Sequence, residues 1–289
     1  MFRALLHEAH GWALVSVLWC VTILSAMAVS AQMLTLSSAQ MEQRFEERAK
    51  ADALLEAAVA RAVVGIGDQR VEKRWRVDAG EEHFSFQGCD IVIRIQDELS
   101  RIDLNAADSS MIKRLLLSAG LQSDAAEILT SRIVDWRSPS GIQNTNVASQ
   151  ADYAAAGKRY YIRHGSFQSV SELQMVLGVT PELFKKLEPA LTVYSGRPAF
   201  DTQYAPEEVL RALYLYEPAK VDEVLQKRKA GRSDIVGERS GILSSVTTTA
   251  GRTFSVTAQL YIGNHRYVRK VVVELTGDTK RPYFILAWS

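Results

Sequence analysis

Residues 12–31 read WALVSVLWCVTILSAMAVSA, and this stretch contains no charged side chain. A helix of about 20 apolar residues, rising about 1.5 Å per residue, crosses a hydrocarbon core of about 30 Å. Its few hydroxyl side chains can donate hydrogen bonds to carbonyls of their own helix. We therefore predict a membrane-spanning helix over residues 12–31.

The helical pattern continues beyond this apolar run. Residues 41–66, MEQRFEERAKADALLEAAVARAVVGI, place apolar residues at helical steps with charged residues between them. No glycine occurs between Gly11 and Gly65, and the first proline is Pro139. The sequence therefore predicts one helix over residues 12–66, which is lipid-soluble in its first half and amphipathic in its second.

Two other interpretations of the N-terminus remain open. One is a cleaved secretory signal, because Val29, Ser30 and Ala31 fit the small-residue cleavage pattern. Against it, the apolar run exceeds the usual length of about 7–15 residues, and residues 1–11 carry little net positive charge. The other alternative is a plain membrane anchor.

The composition excludes several classes of function. The 289 residues include 34 Lys and Arg and 33 Asp and Glu. The resulting net charge of +1 argues against electrostatic binding of nucleic acid by the chain as a whole. Two cysteines, Cys20 and Cys89, exclude a disulfide framework and a four-cysteine zinc site. The sequence contains no phosphate-binding loop, nucleophile elbow or metalloprotease motif, so we do not expect an enzyme.

The rest of the chain predicts strands on both sides of a helical region that contains an internal repeat. Residues 82–95 and 254–262 alternate apolar residues with others, and residues 267–275 and 282–288 predict further strands. A turn at Gly263-Asn264, which could exceed two residues, precedes the strand over 267–275. Within 99–231, four pairs of equivalent residues lie 98 positions apart: Asp103/Asp201, Ala107/Ala205, Lys113/Arg211 and Leu115/Leu213. Each copy predicts two successive helices, and Asp108 is expected to cap the first helix of the first copy. A third helix-turn-helix unit spans residues 167–187, with one helix beginning near Phe167 and a second one capped by Thr180.

A short leader ending in Gly11, followed by a long helix of this kind, resembles the N-terminus of type IV pilins and pseudopilins. The order of the later motifs resembles minor pseudopilin K of type II secretion over nearly the entire chain. These motifs are IDLNAA (102–107), IVDWR (133–137), FQSVSEL (167–173), LGVTPEL (177–183), LTVYSG (191–196) and PYFILAW (282–288). Ser16 stands where most pseudopilins carry a glutamate, and the K type typically lacks that glutamate.

This resemblance implies an α+β fold, in which a long pilin-type helix packs on a small antiparallel sheet and carries a large inserted all-α domain of helix-hairpin-helix-like units. The implied parts are a leader (1–11), the N-terminal helix (12–66), the first part of the sheet domain (67–98), the inserted helical domain (99–231) and the remaining strands (232–289).

The resemblance also implies a function and its residues. We expect a minor pseudopilin at the tip of a type II secretion pseudopilus, single-pass in the inner membrane, with its soluble domain in the periplasm. Expected partners are pseudopilins I and J and the prepilin peptidase, which would cut after Gly11 before Trp12 is methylated. The residues expected to serve helix assembly are Ser16, Phe45, Leu55 and Val59. Calcium is considered at Asp135 and Asp152, which flank a loop where several other carboxylates typical of the family are replaced.

The alternative function is a minor pilin or competence-type protein that binds DNA through its helical hairpins. Such hairpins bind phosphate through backbone N–H groups at a helix N-terminus. This chain offers one glycine in each candidate hairpin, and Lys185 and Lys186 are a sparse supply of positive charge. We therefore expect no nucleic acid partner.

Overall fold

The computed structural model describes residues 5–68, 70, 73–139, 148–229 and 252–288, without the side chains of residues 5–11, 13 and 31–40. The chain divides into two compact units, Met1–Leu54 and Leu55–Ser289. Three predicted features lie outside the described residues. They are part of the leader (1–4), residues 140–147 of the loop between Asp135 and Asp152, and the domain boundary at residue 231.

The first element is a single helix, α1, over Leu5–Ile66. The predicted helix over 12–66 lies within it, and the helix begins seven residues earlier than predicted. Gly67 closes its last turn by donating its N–H to the carbonyl of Val63 (3.0 Å). The following chain then passes so close to the helix that a Cβ on Gly65 would lie 2.5 Å from the Trp75 ring.

The sheet has five antiparallel strands in the order β1-β2-β5-β6-β7. Their bounds are β1 Asp78–Phe86, β2 Cys89–Asp97, β5 Thr253–Ile262, β6 His265–Leu275 and β7 Tyr283–Trp288. Ile262 pairs directly with His265, so the connecting turn has two residues and the longer turn considered from the sequence is wrong. Gly263 occupies its first position with φ of 56°, which suits glycine in a tight hairpin.

One face of this sheet is apolar and buried. Ile91, Ile93 and Ile95 pair with Leu260, Ala258 and Val256, and all six side chains are at most 1% exposed. The last turns of α1 carry a matching buried stripe, made of Leu55, Ala58, Ala62 and Ile66. A helical stripe and a strand face that are buried within the same unit correspond to a helix layered on a sheet.

The chain between β2 and β5 forms the inserted helical region. Its elements are β3 Ile102–Asp103, α2 Ser109–Ser118, α3 Ser123–Arg137, α4 Gln150–Ala155, α5 Pro181–Leu187, β4 Leu191–Thr192, α6 Glu207–Leu213 and α7 Pro218–Lys229, with 3₁₀ turns at Glu98–Ser100, Val170–Met175 and Glu188–Ala190. The short strands β3 and β4 pair in parallel, and a separate apolar core fills this region. The α+β class predicted from the sequence is confirmed.

Local details of the helical region both confirm and correct the predictions. Thr180 caps α5 as predicted, since its side chain accepts the N–H of Leu183 (3.2 Å). Asp108 occupies the N-cap position of α2, but its side chain makes no capping hydrogen bond. The helix predicted to begin near Phe167 is a 3₁₀ turn over Val170–Met175, which ends where Val176 becomes extended.

Candidate functional site

The first unit exposes a large apolar surface on α1, which we call the apolar helix surface. It consists of Trp12, Leu14, Val15, Val17, Leu18, Trp19, Val21, Ile23, Leu24, Met27 and Val29, each more than half exposed. Because successive helical residues point about 100° apart, these side chains surround the helix, and contiguous apolar surface on this scale marks an interaction site. Among the residues whose side chains the structure describes, no helix is both long and apolar enough to cross a membrane.

The hydroxyl groups in this segment bond to their own helix. Ser16 Oγ donates to the carbonyl of Trp12 (2.8 Å), and Thr22 and Ser30 make equivalent bonds to Trp19 and Ala26. Ser16 is therefore a neutral side chain whose hydroxyl donor is already used, and it cannot supply a negative charge to a neighbouring chain.

The residues predicted for helix assembly separate into two groups. Phe45 is 66% exposed, so its ring is available to another helix. Leu55 and Val59 are buried, at 2% and 5% exposure. The structure therefore corrects the assignment of Leu55 and Val59 to the assembly surface, because both side chains lie within the fold of this chain.

The internal repeat places the same turn at the start of each copy. Asp103 Oδ1 accepts the N–H groups of Asn105 (2.8 Å) and Ala106 (3.2 Å), and Asp201 Oδ1 accepts the N–H of Gln203 (2.9 Å). A carboxylate that accepts N–H groups two or three residues ahead holds an Asx turn. The two equivalent aspartates thus form the same turn before α2 and before α6.

An arginine from the second helix of each copy holds this turn. Arg137 of α3 donates to the carbonyls of Leu104 and Ala107, both at 2.7 Å. Arg228 of α7 donates to the equivalent carbonyls, those of Thr202 (2.5 Å) and Ala205 (2.7 Å). Burial lowers the pKa of both guanidinium groups, and neighbouring carboxylates, with Asp103 or Asp201 among them, oppose that shift.

The first helices of the two copies also contact each other. Arg114 of α2 donates to the carbonyl of Ala212 (3.0 Å) and to that of Leu213 in α6. In the described hairpin residues, Lys186 Nζ donates one hydrogen bond to the carbonyl of Ala119 (3.3 Å) at the end of α2. The two copies therefore form a packed pair in which the arginines serve the fold.

A buried aromatic cluster fills the core of the insert around one carboxylate. The Trp136 ring lies 6.2–6.4 Å from the rings of Tyr153, Tyr160 and Phe167. Glu172 accepts the indole N–H of Trp136 (3.0 Å) and the backbone N–H of Gln168 (2.8 Å), and Arg163 lies 3.3 Å away. A buried carboxylate with these partners fixes the ring of Trp136 in the core.

The two aspartates considered for calcium have separate environments. Asp152 accepts the N–H and hydroxyl of Ser149 (2.7 and 2.8 Å) in a capping box, and these bonds lower its pKa. Asp135 is buried, which raises its pKa, and His164 Nδ1 lies 4.0 Å from it. Calcium takes six to eight oxygen ligands, and no cluster of three acidic, His or Cys side chains occurs among the described residues. These residues alone do not fit calcium, and calcium binding stays a prediction.

A buried polar cluster joins the sheet to the insert. Asp97, fully buried at the end of β2, accepts the N–H of Leu99 (2.9 Å) and forms an ion pair with Arg252. Arg252 also lies 3.6 Å from Asp201, whose N–H donates to the carbonyl of Leu99 (2.7 Å). Burial raises the pKa of Asp97 to about 6, although Arg252 opposes the shift.

The roles of the arginine pair, of Glu172 and of Asp97 were not predicted from the sequence. The paired aspartates and alanines were found because their spacing is constant, whereas Arg137 and Arg228 do not share it, since the second copy is shorter. A search for an arginine near the end of the second helix in each copy could have found them. No local pattern marks the burial of Glu172 or Asp97, because the side chains of Trp136 and Arg252 that they pair with are distant in sequence.

Three comparisons with known proteins each found a similarity to protein K of type II secretion. Residues 95–196 match the family model for type II secretion system (T2SS), protein K. Type II secretion system protein K from Pectobacterium carotovorum subsp. carotovorum is 28% identical over 121 residues, covering 37% of each chain. The crystal structure of the GspK-GspI-GspJ complex from enterotoxigenic Escherichia coli contains a chain that is 17% identical, with a TM-score of 0.59, and covers 88% of this chain and 98% of that chain.

The matched region therefore resembles a component of type II secretion. The resemblance to minor pseudopilin K that the sequence predicted is supported by this match across residues 95–196. The solved structure supports the fold, and the chain spans just over a third of the length of the curated relative.

Proposed function

We propose that this chain is a minor pseudopilin at the tip of a type II secretion pseudopilus and acts as a structural component of protein export, not as an enzyme. One observation carries this proposal. The matched protein K region begins near the end of β2 and covers the insert as far as residue 196, before α6, in a chain that also carries the sheet and the long helix α1.

The position at the tip follows from two features of the chain. Ser16 offers no carboxylate, so it cannot neutralise the N-terminal amine of a subunit added beside it. The insert between β2 and β5 adds a second core to the sheet domain, and this bulk would hinder the addition of further subunits above it. Both features suit a subunit that begins a filament.

We propose that the uncharged run over residues 12–31 holds the chain in the inner membrane, with the sheet and the insert in the periplasm. The apolar helix surface surrounds the helix and supports this placement, because a polar solvent would leave those side chains without partners. Prepilin peptidase would cut after Gly11, and Trp12 would then be methylated. A glycine within a helix weakens the local structure, which favours access to that bond.

Minor pseudopilins of the I and J types are the proposed partners. The structural relative is a complex of GspK, GspI and GspJ, and the exposed Phe45 offers a contact for a neighbouring helix. DNA binding, the alternative function, is not favoured by the comparisons. A gel shift with the full chain at several salt concentrations would detect it.

A crosslinking experiment in a secreting strain tests the proposal. A photoreactive side chain at Phe45 should crosslink to an I- or J-type pseudopilin, whereas the same group at Tyr216, an exposed residue of the insert, should not. Deletion of the chain should abolish export of secreted proteins and reintroduction should restore it. Normal export in the deletion strain would contradict the proposed function.

A further inference from the structure

The two edges of the five-stranded sheet differ in their chemistry. The β1 edge carries Glu81, Glu82 and His83, and its pairing with β2 is interrupted between Asp78 and Glu81. Arg94 of β2 forms an ion pair with Glu81 across this edge. Charged side chains and irregular pairing discourage the addition of another strand, so the β1 edge is protected.

The opposite edge, β7, has one bulge but no charged side chain. Its sequence is YFILAW, without charge or proline, and Phe284, Ile285, Leu286 and Trp288 are 44–60% exposed. A single bulge places Leu286 between the pairs Val273–Ile285 and Val272–Ala287. In the described residues no strand pairs with the outer side of β7, so its outward backbone N–H and C=O groups are available to another strand.

The surroundings of β7 are basic. The positive residues of β6 and of the turn before β7 are Arg266, Arg269, Lys270, Lys280 and Arg281, against Glu274 and Asp278 as the acidic ones. The Arg269 guanidinium lies 4.9 Å from the centre of the Trp288 ring, so positive charge reaches the end of the strand. Two copies pairing through β7 would bring these like charges together, which disfavours a second copy as the occupant.

We propose that β7 binds an extended segment of a different protein chain by β-strand addition, and that this segment alternates apolar and acidic side chains. Backbone hydrogen bonds to β7 would supply affinity, and the basic surroundings would select acidic residues. A cavity of about 310 Å³ on the insert-facing side, lined in part by Val272, Ala287 and Trp288, would lie beside side chains on that face of the added strand. This inference does not rest on the proposed function.

Labelled twelve-residue peptides and the full chain in detergent test the inference by fluorescence anisotropy. The probes are an alternating Val-Glu peptide, an alternating Val-Lys peptide, and the Val-Glu peptide with N-methylated backbone amides. We expect the Val-Glu peptide to bind at least about tenfold more tightly than either of the others, because the Lys peptide loses charge complementarity and the methylated peptide loses backbone donors.

Three variants locate the binding surface. The double variant Phe284→Ser/Leu286→Ser should weaken Val-Glu binding by about tenfold or more, and Phe86→Ser, at an exposed residue of the β1 edge, should change it by less than about twofold. Lys280→Glu/Arg281→Glu leaves β7 itself intact and should reverse the preference between the Glu and Lys peptides. Unfolding midpoints close to that of the unmodified chain would show that the variants fold.

Several outcomes would overturn the inference. Absence of peptide binding, equal binding of the two charged peptides, or equal losses in the β7 and Phe86 variants would exclude acidic strand addition at β7. A stable dimer in light scattering that dissociates in the Phe284→Ser/Leu286→Ser variant would assign β7 to a second copy. A failure of peptide binding with normal secretion would leave the proposed function standing.

Discussion

Replacing Asp97 by Asn should remove a large part of the pH dependence of stability of the sheet and insert. Asp97 is completely buried, and its burial raises the pKa to about 6 from an ordinary value of 3.8. The native state therefore binds a proton more tightly than the unfolded state. The contribution to the free energy of unfolding is fully present below pH 3.8 and is lost as pH rises through about 6.

The shift sets the size of the effect. A difference of about two pKa units corresponds to about 3 kcal/mol between the acidic and alkaline limits, at about 1.4 kcal/mol per unit. Between about pH 5 and about pH 7.5, ionisation of Asp97 should cost the native state about 1.4 kcal/mol. A side-chain amide cannot ionise in this range, so the Asp97→Asn variant should not lose this amount over the same interval.

Urea unfolding of the full chain in detergent, followed by tryptophan fluorescence at several pH values, measures this difference. Asp152→Asn is the matched control, because hydrogen bonds from Ser149 lower the pKa of Asp152 and it stays ionised throughout this interval. Its stability should change with pH in parallel with the unmodified chain. If Asp97→Asn also followed the unmodified chain to within about 0.3 kcal/mol, the assignment of a raised pKa to Asp97 would be refuted.

Four further substitutions test the structure and the proposed processing. Glu172→Ala should lower the free energy of unfolding by about 2–4 kcal/mol, because a buried indole N–H and a backbone N–H lose their acceptor, whereas Glu172→Gln should cost less in the same urea titration. Arg137→Ala should cost a similar amount, about 2–4 kcal/mol, because the carbonyls of two buried residues, Leu104 and Ala107, lose their donor. In thermal unfolding, Arg137→Lys should retain only part of this stability. Gly65→Ala should cost about 1–3 kcal/mol because its Cβ would overlap an indole ring, while Val64→Ala at an exposed position should stay within about 0.5 kcal/mol; equal effects would contradict the packing described. Gly11→Val should block removal of the leader, so mass spectrometry of the native protein should show the uncut chain, and an unchanged mature mass would contradict cleavage after Gly11.

The sequence was sufficient for the features that depend on local periodicity. The uncharged run and the amphipathic pattern predicted a long helix, and the patterns of residues 254–262 and 267–275 predicted two strands joined by a turn. The constant spacing of Asp103 and Asp201 revealed the repeat, because both aspartates form the same local turn. Thr180 was assignable as an N-cap for the same reason.

Burial and long-range pairing required the tertiary structure. Leu55 and Phe45 look equally apolar along the helix, but the fold buries Leu55 and leaves Phe45 exposed, which reversed half of the predicted assembly surface. The amino-acid sequence by itself determined that a long helix, apolar in its first half, precedes a sheet that is interrupted by a helical insert with an internal repeat. Only the tertiary structure decided which carboxylates are buried, which arginines bond the turn in each copy of the repeat, and which sheet edge stays open. Each of these features depends on residues that are distant in sequence and meet only when the chain has folded.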